Sequence, residues 1–199
     1  MKNIEVEIRG LLTQEEYSRL NSFFSGNGTP VEEKERTLID YSTYLPNEGV
    51  RERTKDIRVR VTNGIPEIIV KLGAWGGSES RKELSFKGKE NEFETLVEIF
   101  GHLGFTKGVL CKRKTKAYEY KGIEFALVEV PDHSYYFEAE KMANTNDDLS
   151  KVEQDILAVC YELNLTILTK DEFFKYIDSL NKEANEIFEF EKFSEGYFK

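Results

Sequence analysis

Six consecutive residues near the start, Ile4-Glu5-Val6-Glu7-Ile8-Arg9, alternate apolar and charged side chains without a break. On a β-strand successive side chains point to opposite faces, so Glu5, Glu7 and Arg9 share one face and Ile4, Val6 and Ile8 the other. A half-buried surface strand would show the same pattern, with its charged face in water. The stripe recurs, however, and it carries both signs. Arg58 pairs with Arg60 in Ile57–Val61, Arg81 with Glu83 in Arg81–Leu84, and Glu138 with Glu140 in Tyr135–Glu140. A closed β-barrel with an ionic lumen and helices packed outside accounts for all four stripes together, and an antiparallel α+β domain is the fold class expected.

The composition permits such an interior. Of 199 residues, 39 % are hydrophobic, enough for a core, and 33 % are charged, a share that needs either a large solvated surface or a polar interior. A net charge of −9 argues against nucleic acid or an anionic membrane as partner. Cys111 and Cys160 lie far apart without metal-like spacing and read as core thiols, which suits a reducing compartment. The N-terminus reads as neither an apolar signal nor an Arg-rich transit peptide, and no apolar run approaches a membrane span, so a cytoplasmic chain is expected.

Local signals order the elements. Thr13 with Glu16 forms a capping box opening a helix with Tyr17, Leu20 and Phe24 on one face, stopped at Gly26-Asn27-Gly28. Residues 31–43 read as a strand, followed by a polar loop with Arg51, Arg53 and Lys55 expected in solvent. Asn63-Gly64 predicts a hairpin between Arg58–Val61 and Ile68–Leu72. Gly73–Ser78 is expected as a mobile connection, in which Trp75 could cover a tunnel mouth, stack on a base or stand exposed. Helices are predicted over Asn91–Leu103 and Leu149–Leu163, and a third is capped by Thr169 with Glu172. Leu110–Tyr120 and Ile123–Val130 form a second hairpin, and the acidic, aromatic tail from Glu186 shows no firm period. One domain is expected over residues 1–199, a strand core to about 141 and a helical extension over about 145–199.

The lumen of such a barrel would hold the acids Glu5, Glu7, Glu83, Glu138 and Glu140 and the bases Arg9, Arg58, Arg60, Lys71 and Arg81, with one or more residues of Lys112–Lys116. Buried charges cost several kcal/mol per ion unless paired or bound. The interior is therefore expected to be wet and to hold a ligand. Paired carboxylates are hard oxygen donors suited to Mg²⁺ or Mn²⁺, and clustered Arg and Lys suit phosphate oxygens. Both together describe a site for a metal-bound polyphosphate. No Ser/His/Asp or Cys/His arrangement and no P-loop is present.

In these motifs the chain resembles the CYTH superfamily, the triphosphate tunnel metalloenzymes, which include class IV adenylyl cyclases and thiamine and inorganic triphosphatases. Its opening Glu-x-Glu-x-Lys is similar to Glu5-Val6-Glu7-Ile8-Arg9, its Arg-x-Arg to Arg58-Val59-Arg60, and its following Lys to Lys71. Its Arg-x-Glu is similar to Arg81-Lys82-Glu83 and its late Glu-x-Glu to Glu138-Ala139-Glu140. The resemblance implies an eight-stranded antiparallel β-barrel as the fold, and metal ligation by Glu5, Glu7 and Glu140 with Glu83 and Glu138 assisting. It implies a triphosphate gripped by Arg9, Arg58, Arg60, Lys71, Arg81 and Arg113, and a catalytic role for Glu5, Glu7, Arg9 and Lys71. Two positions depart from it. Val128 stands where the family carries an Asp, and Thr115 where an Arg is usual. The function implied is metal-dependent hydrolysis of inorganic, thiamine or nucleoside triphosphate. The alternatives are cyclisation of ATP to cyclic AMP and pyrophosphate, nucleotide or polyphosphate capture without turnover, and a purely structural barrel. A monomer or homodimer acting on a small triphosphate is expected.

Overall fold

The computed structural model describes residues 4–76, 78–144 and 147–198. Among these described residues nine strands and four helices follow one another. They are β1 (Ile4–Leu12), α1 (Gln14–Asn27), β2 (Thr29–Asp40), β3 (Lys55–Thr62), β4 (Ile65–Leu72), β5 (Ser78–Lys87) and α2 (Phe93–His102). After these come β6 (Lys107–Tyr120), β7 (Ile123–Val130), β8 (Ser134–Ala143), α3 (Leu149–Glu162), α4 (Lys170–Glu183) and β9 (Glu186–Glu189). Eight strands pair antiparallel in the order β2-β3-β4-β5-β1-β8-β7-β6, and pairing of β2 with β6 closes the ring. Closure leaves no free edge among these eight strands. The ninth strand extends the sheet where β7 stops, pairing with the first residues of β6.

Helices cover the outside. Val6 and Ile8 of β1 join Phe125, Leu127 and Phe137 beneath Leu20 and Phe24 of α1 and Ile156 and Cys160 of α3. On the other flank Val59 of β3 and Ile39 of β2 pack with Phe93, Val97 and Phe100 of α2 and with Phe188. Each such side chain contributes about 1.5–3 kcal/mol on burial. With the apolar faces turned outward against helices, strand alternation turns the charged stripes inward. The aromatics of the tail, Phe190, Phe193, Tyr197 and Phe198, seal the α2 side.

Turn chemistry sets the register. Asn63 and Gly64 both have positive φ, as a tight hairpin between β3 and β4 demands. A Cβ on Gly10 would fall 2.0 Å from the carbonyl oxygen of Thr166, so only glycine lets the α3–α4 connection cross β1 there. Leu168 N–H then donates to the Arg9 carbonyl and leads α4 across one end of the ring.

Several expectations need correction. The strand expected over residues 31–43 runs instead over Thr29–Asp40, because Ser42–Tyr44 forms a 3-10 turn. Arg51 and Lys55 are exposed, but Arg53 is 1 % exposed, held by carboxylates and an indole ring. Of the connection expected over Gly73–Ser78, Gly77 lies outside the described residues. Trp75 is not exposed but packed edge-on against Phe173 and Phe174 of α4. The tail contains a strand too short to announce itself.

Candidate functional site

A cavity of about 230 Å³ lies inside the ring. Strand parity fills it. From β1 come Glu5, Glu7 and Arg9, from β8 Tyr136, Glu138 and Glu140, and from β7 Glu124, Ala126 and Val128. Across from them β2 contributes Lys34, Arg36, Leu38 and Asp40, and β6 contributes Cys111, Arg113 and Thr115. Arg58 and Arg60 of β3, Lys71 of β4 and Glu83 of β5 complete the wall. Register explains the grouping, since Glu7 is the Cα partner of Glu140, Arg9 of Glu138 and Lys71 of Glu83.

The acids concentrate on β1 and β8. Ligand oxygens of Glu5, Glu7 and Glu140 lie within 4.8 Å of one another. Burial pushes Glu7 well above the usual carboxylate range, against the pull of the Arg9 guanidinium. Burial, with the charges of Glu5 and Glu138, pushes Glu140 up to about 8. Glu5 behaves oppositely. Burial would raise it, but the ammonium of Lys71, hydrogen-bonded to its Oε1, brings it down to about 2. Burial likewise opposes ionisation of Glu138, and the Arg9 charge outweighs it. Glu7 is 1 % exposed, and among the described residues its Oε2 has no hydrogen-bond partner. An orphaned oxygen amid three crowded carboxylates is what a hard divalent cation would satisfy, so the donor set fits Mg²⁺ or Mn²⁺.

The bases meet them from the same strand and from the strands across the cavity. Arg9 Nη2 meets Glu7 Oε1 at 2.7 Å and its Nε donates to Glu138 at 3.1 Å, while its guanidinium lies 5.2 Å from the Phe173 ring. Arg60 forks onto Glu67 at 2.8 and 2.7 Å. Lys71 also reaches Glu83 at 3.2 Å. Burial would lower the Lys71 pKa, but the carboxylates of Glu7, Glu5 and Glu83 hold it raised and charged. Burial and, after it, the nearby Arg60 depress the pKa of the Arg36 guanidinium.

Of the sequence-derived candidates, Glu5, Glu7, Arg9, Arg58, Arg60, Lys71, Glu83, Glu138 and Glu140 meet in this one cavity. So does Arg113, whose Nη2 donates to Asn185 at 3.0 Å, and parity turns the exposed Lys112 and Lys114 away. Arg81 is buried but does not line the cavity; its Nη1 donates to Asp56 at 3.0 Å. Lys34, Arg36 and Asp40 on β2 were not foreseen, although Lys34-x-Arg36-x-Leu38-x-Asp40 carries the parity that would have shown them. Glu124, Tyr136 and α4, which brings Phe173, Tyr176, Ile177 and Leu180 to one end, were also missed. Both departures from the family pattern face inward as neighbours, Thr115 being the Cα partner of Val128.

Solved structures share this architecture. A conserved hypothetical protein of Pyrococcus furiosus superposes with a TM-score of 0.66 at 21 % identity, over 82 % of this chain and 94 % of that one. A candidate adenylate cyclase of Vibrio parahaemolyticus gives 0.63 at 13 % identity, over 83 % and 91 %. An adenylyl cyclase candidate of Hippeastrum with a dominant triphosphatase activity gives 0.53 at 13 %, over 87 % and 95 %. Comparison with curated protein sequences finds no match. The family model described as CYTH domain matches residues 3–174. Strand order, inward charge and this match agree, and the chain belongs to the CYTH domain family.

Proposed function

We propose that this protein is a divalent-metal-dependent phosphohydrolase that binds a triphosphate inside the strand ring and releases its terminal phosphate. The observation that carries the reading is one cavity with three carboxylates gathered within 4.8 Å on one wall and arginines on the other. Glu5, Glu7 and Glu140 would hold Mg²⁺ or Mn²⁺, which supplies charge neutralisation and a more acidic bound water. Arg58 and Arg60 offer planar donors to phosphate oxygens. Lys71, kept charged between Glu5 and Glu83, acts as a fixed cation rather than a base. Arg9, pinned by Glu7 and Glu138, adds a donor at the border between acid and base. Water attacks the terminal phosphorus, forming the new P–O bond and releasing a proton to solvent, while the bridging P–O bond breaks and the shortened phosphate leaves with that bond's electron pair on its oxygen. Catalysis of this kind is mostly positioning and neutralisation.

Hydrolysis is favoured over cyclisation by room. The cavity of about 230 Å³ lies below the ~300 Å³ at which pockets for drug-sized organic ligands begin. A triphosphate chain asks less space than a whole nucleotide held in cyclising geometry. The triphosphatase activity of the Hippeastrum relative agrees with this choice.

The test is to incubate the protein with Mg²⁺ or Mn²⁺ and inorganic triphosphate, thiamine triphosphate or ATP. Orthophosphate release that disappears in Glu7→Gln and Glu140→Gln supports the reading. Cyclic AMP with pyrophosphate from ATP would replace it with cyclisation. Tight calorimetric binding of triphosphate without turnover under any of these metals would leave a capture module.

A further inference from the structure

Resting on the triphosphate reading above, we propose that Asp56 is a positioning residue that aims Arg58 at the bound phosphates and withdraws Arg81 from them. Asp56 stands two residues before Arg58 on β3, so both side chains project to the same face. It is 0 % exposed, in contact with three guanidinium groups from three parts of the chain. Arg58 donates from Nε at 2.8 Å to one carboxylate oxygen and from Nη2 to the other, a fork that fixes the guanidinium plane. Arg81 Nη1 from β5 approaches Oδ2 at 3.0 Å, and Arg53 Nη1 approaches Oδ1 at 3.5 Å. Of the five N–H donors of Arg58 the fork uses two, leaving three for an anion in the cavity that Arg58 lines.

Arg53 anchors the carboxylate in turn. It donates to Asp40 at 2.8 Å, to Thr43 Oγ1 at 2.8 Å and to the Gly49 carbonyl at 3.2 Å, and its guanidinium lies 4.1 Å from the centre of the Trp75 ring. Asp40 and Asp56 thus tie Arg53, Arg58 and Arg81 into one buried network beside the cavity. Within it Asp56 decides which guanidinium faces an anionic ligand, because Arg58 lines the cavity and Arg81 does not.

Charge and orientation give opposite signs, which makes the proposal testable. Replacing Asp56 by Asn removes a negative charge from beside the cavity, so Coulomb attraction alone would tighten anion binding. Loss of aim weakens it. Inorganic triphosphate is titrated by calorimetry, at one fixed Mg²⁺ concentration, into wild type, Asp56→Asn, Arg58→Ala and the double variant. The expected result is affinity about tenfold weaker in Asp56→Asn, with the double variant no weaker than Arg58→Ala alone, because both changes remove one interaction. Affinity unchanged or tighter in Asp56→Asn, or fully additive losses, overturns the proposal. Should that variant not fold, Asp56→Glu repeats the test at constant charge, since the extra methylene displaces the fork; wild-type affinity there overturns it as well. Wild-type protein that binds no triphosphate overturns the functional reading itself, a result distinct from normal wild-type binding with an unaffected variant.

Discussion

Thr115 on β6 and Val128 on β7 sit opposite each other inside the cavity, 8 % and 2 % exposed. At these positions the family resemblance calls for an Arg and an Asp, a potential ion pair for which this chain has two neutral side chains side by side. One charged member alone would leave an uncompensated buried charge, at about 3–5 kcal/mol. A neutral pair avoids that cost, which is why it is tolerated in an otherwise ionic wall. Val128→Asp by itself is therefore expected to destabilise the protein in urea unfolding. Adding Thr115→Arg should recover at least about 1 kcal/mol of the loss, the size of coupling seen between contacting residues. Equal cost of Val128→Asp with Thr or Arg at 115 would show that the two sites do not pair. A second residue-scale expectation concerns acid. Burial opposes ionisation of Asp56, but Arg58 and Arg53 outweigh it and hold the carboxyl well below its ordinary 3.8. A folded pKa below the unfolded one gives stability that is complete above about pH 4 and is lost as pH falls through the folded value. Asp56→Asn should thus be less stable than wild type by about 3–5 kcal/mol at pH 7. That gap should narrow between pH 4 and pH 2 in guanidinium titrations, and a constant gap would contradict the ion-pair account.

At the scale of elements, α4 links the C-terminal part of the chain to the site. Its capping box at Thr169 and Glu172 fixes where it starts, and Thr169→Ala should cost about 1 kcal/mol. Phe173 touches Arg9 on one side and Trp75 on the other. Phe173→Ala opens a hole in that seal and should cost about 3–5 kcal/mol. Trp75 is the single tryptophan, so its emission should shift to the red in this variant, and an unshifted spectrum would mean the indole keeps another cover. The cap box and the apolar spacing of α4 were legible in the sequence, but not the place where the helix docks, because periodicity reports a buried face and never its partner. The same limit explains the other misses. Motifs such as Glu5-x-Glu7 and Arg58-x-Arg60 could be read because parity on a strand says which residues travel together. On β2, Glu33 and Glu35 alternate with Lys34 and Arg36, so both faces carry charge and parity alone does not say which one turns inward. Arg53 lies in a loop, where no period exists and burial is decided wholly by partners distant in sequence.

The molecule as a whole turns a soluble fold's usual order around, placing apolar strand faces outward under helices and gathering charge within a closed ring. Such an arrangement trades stability of the empty protein against affinity for what fills it. Without a cation, burial and the neighbouring carboxylates push Glu7 up and Glu140 up to about 8, so near pH 7 the empty protein must take up protons to fold. Glu140→Gln needs no such proton, so at pH 7 the metal-free variant should melt above metal-free wild type, by the equivalent of about 1–2 kcal/mol. The order should then invert on loading. Saturation with Mn²⁺ and triphosphate at a hundred times the dissociation constant raises wild-type stability by about 2.7 kcal/mol, because only the native state binds. The variant, short of one of three clustered ligands, should gain much less from the same additions, and EDTA should restore the original ranking. A variant that melts below wild type when both are metal-free would mean that the acid cluster is held together by its lysine and arginine neighbours alone. The ring would then be a structure stabilised by its own ion pairs, with no energetic reason to take up a metal-bound polyphosphate.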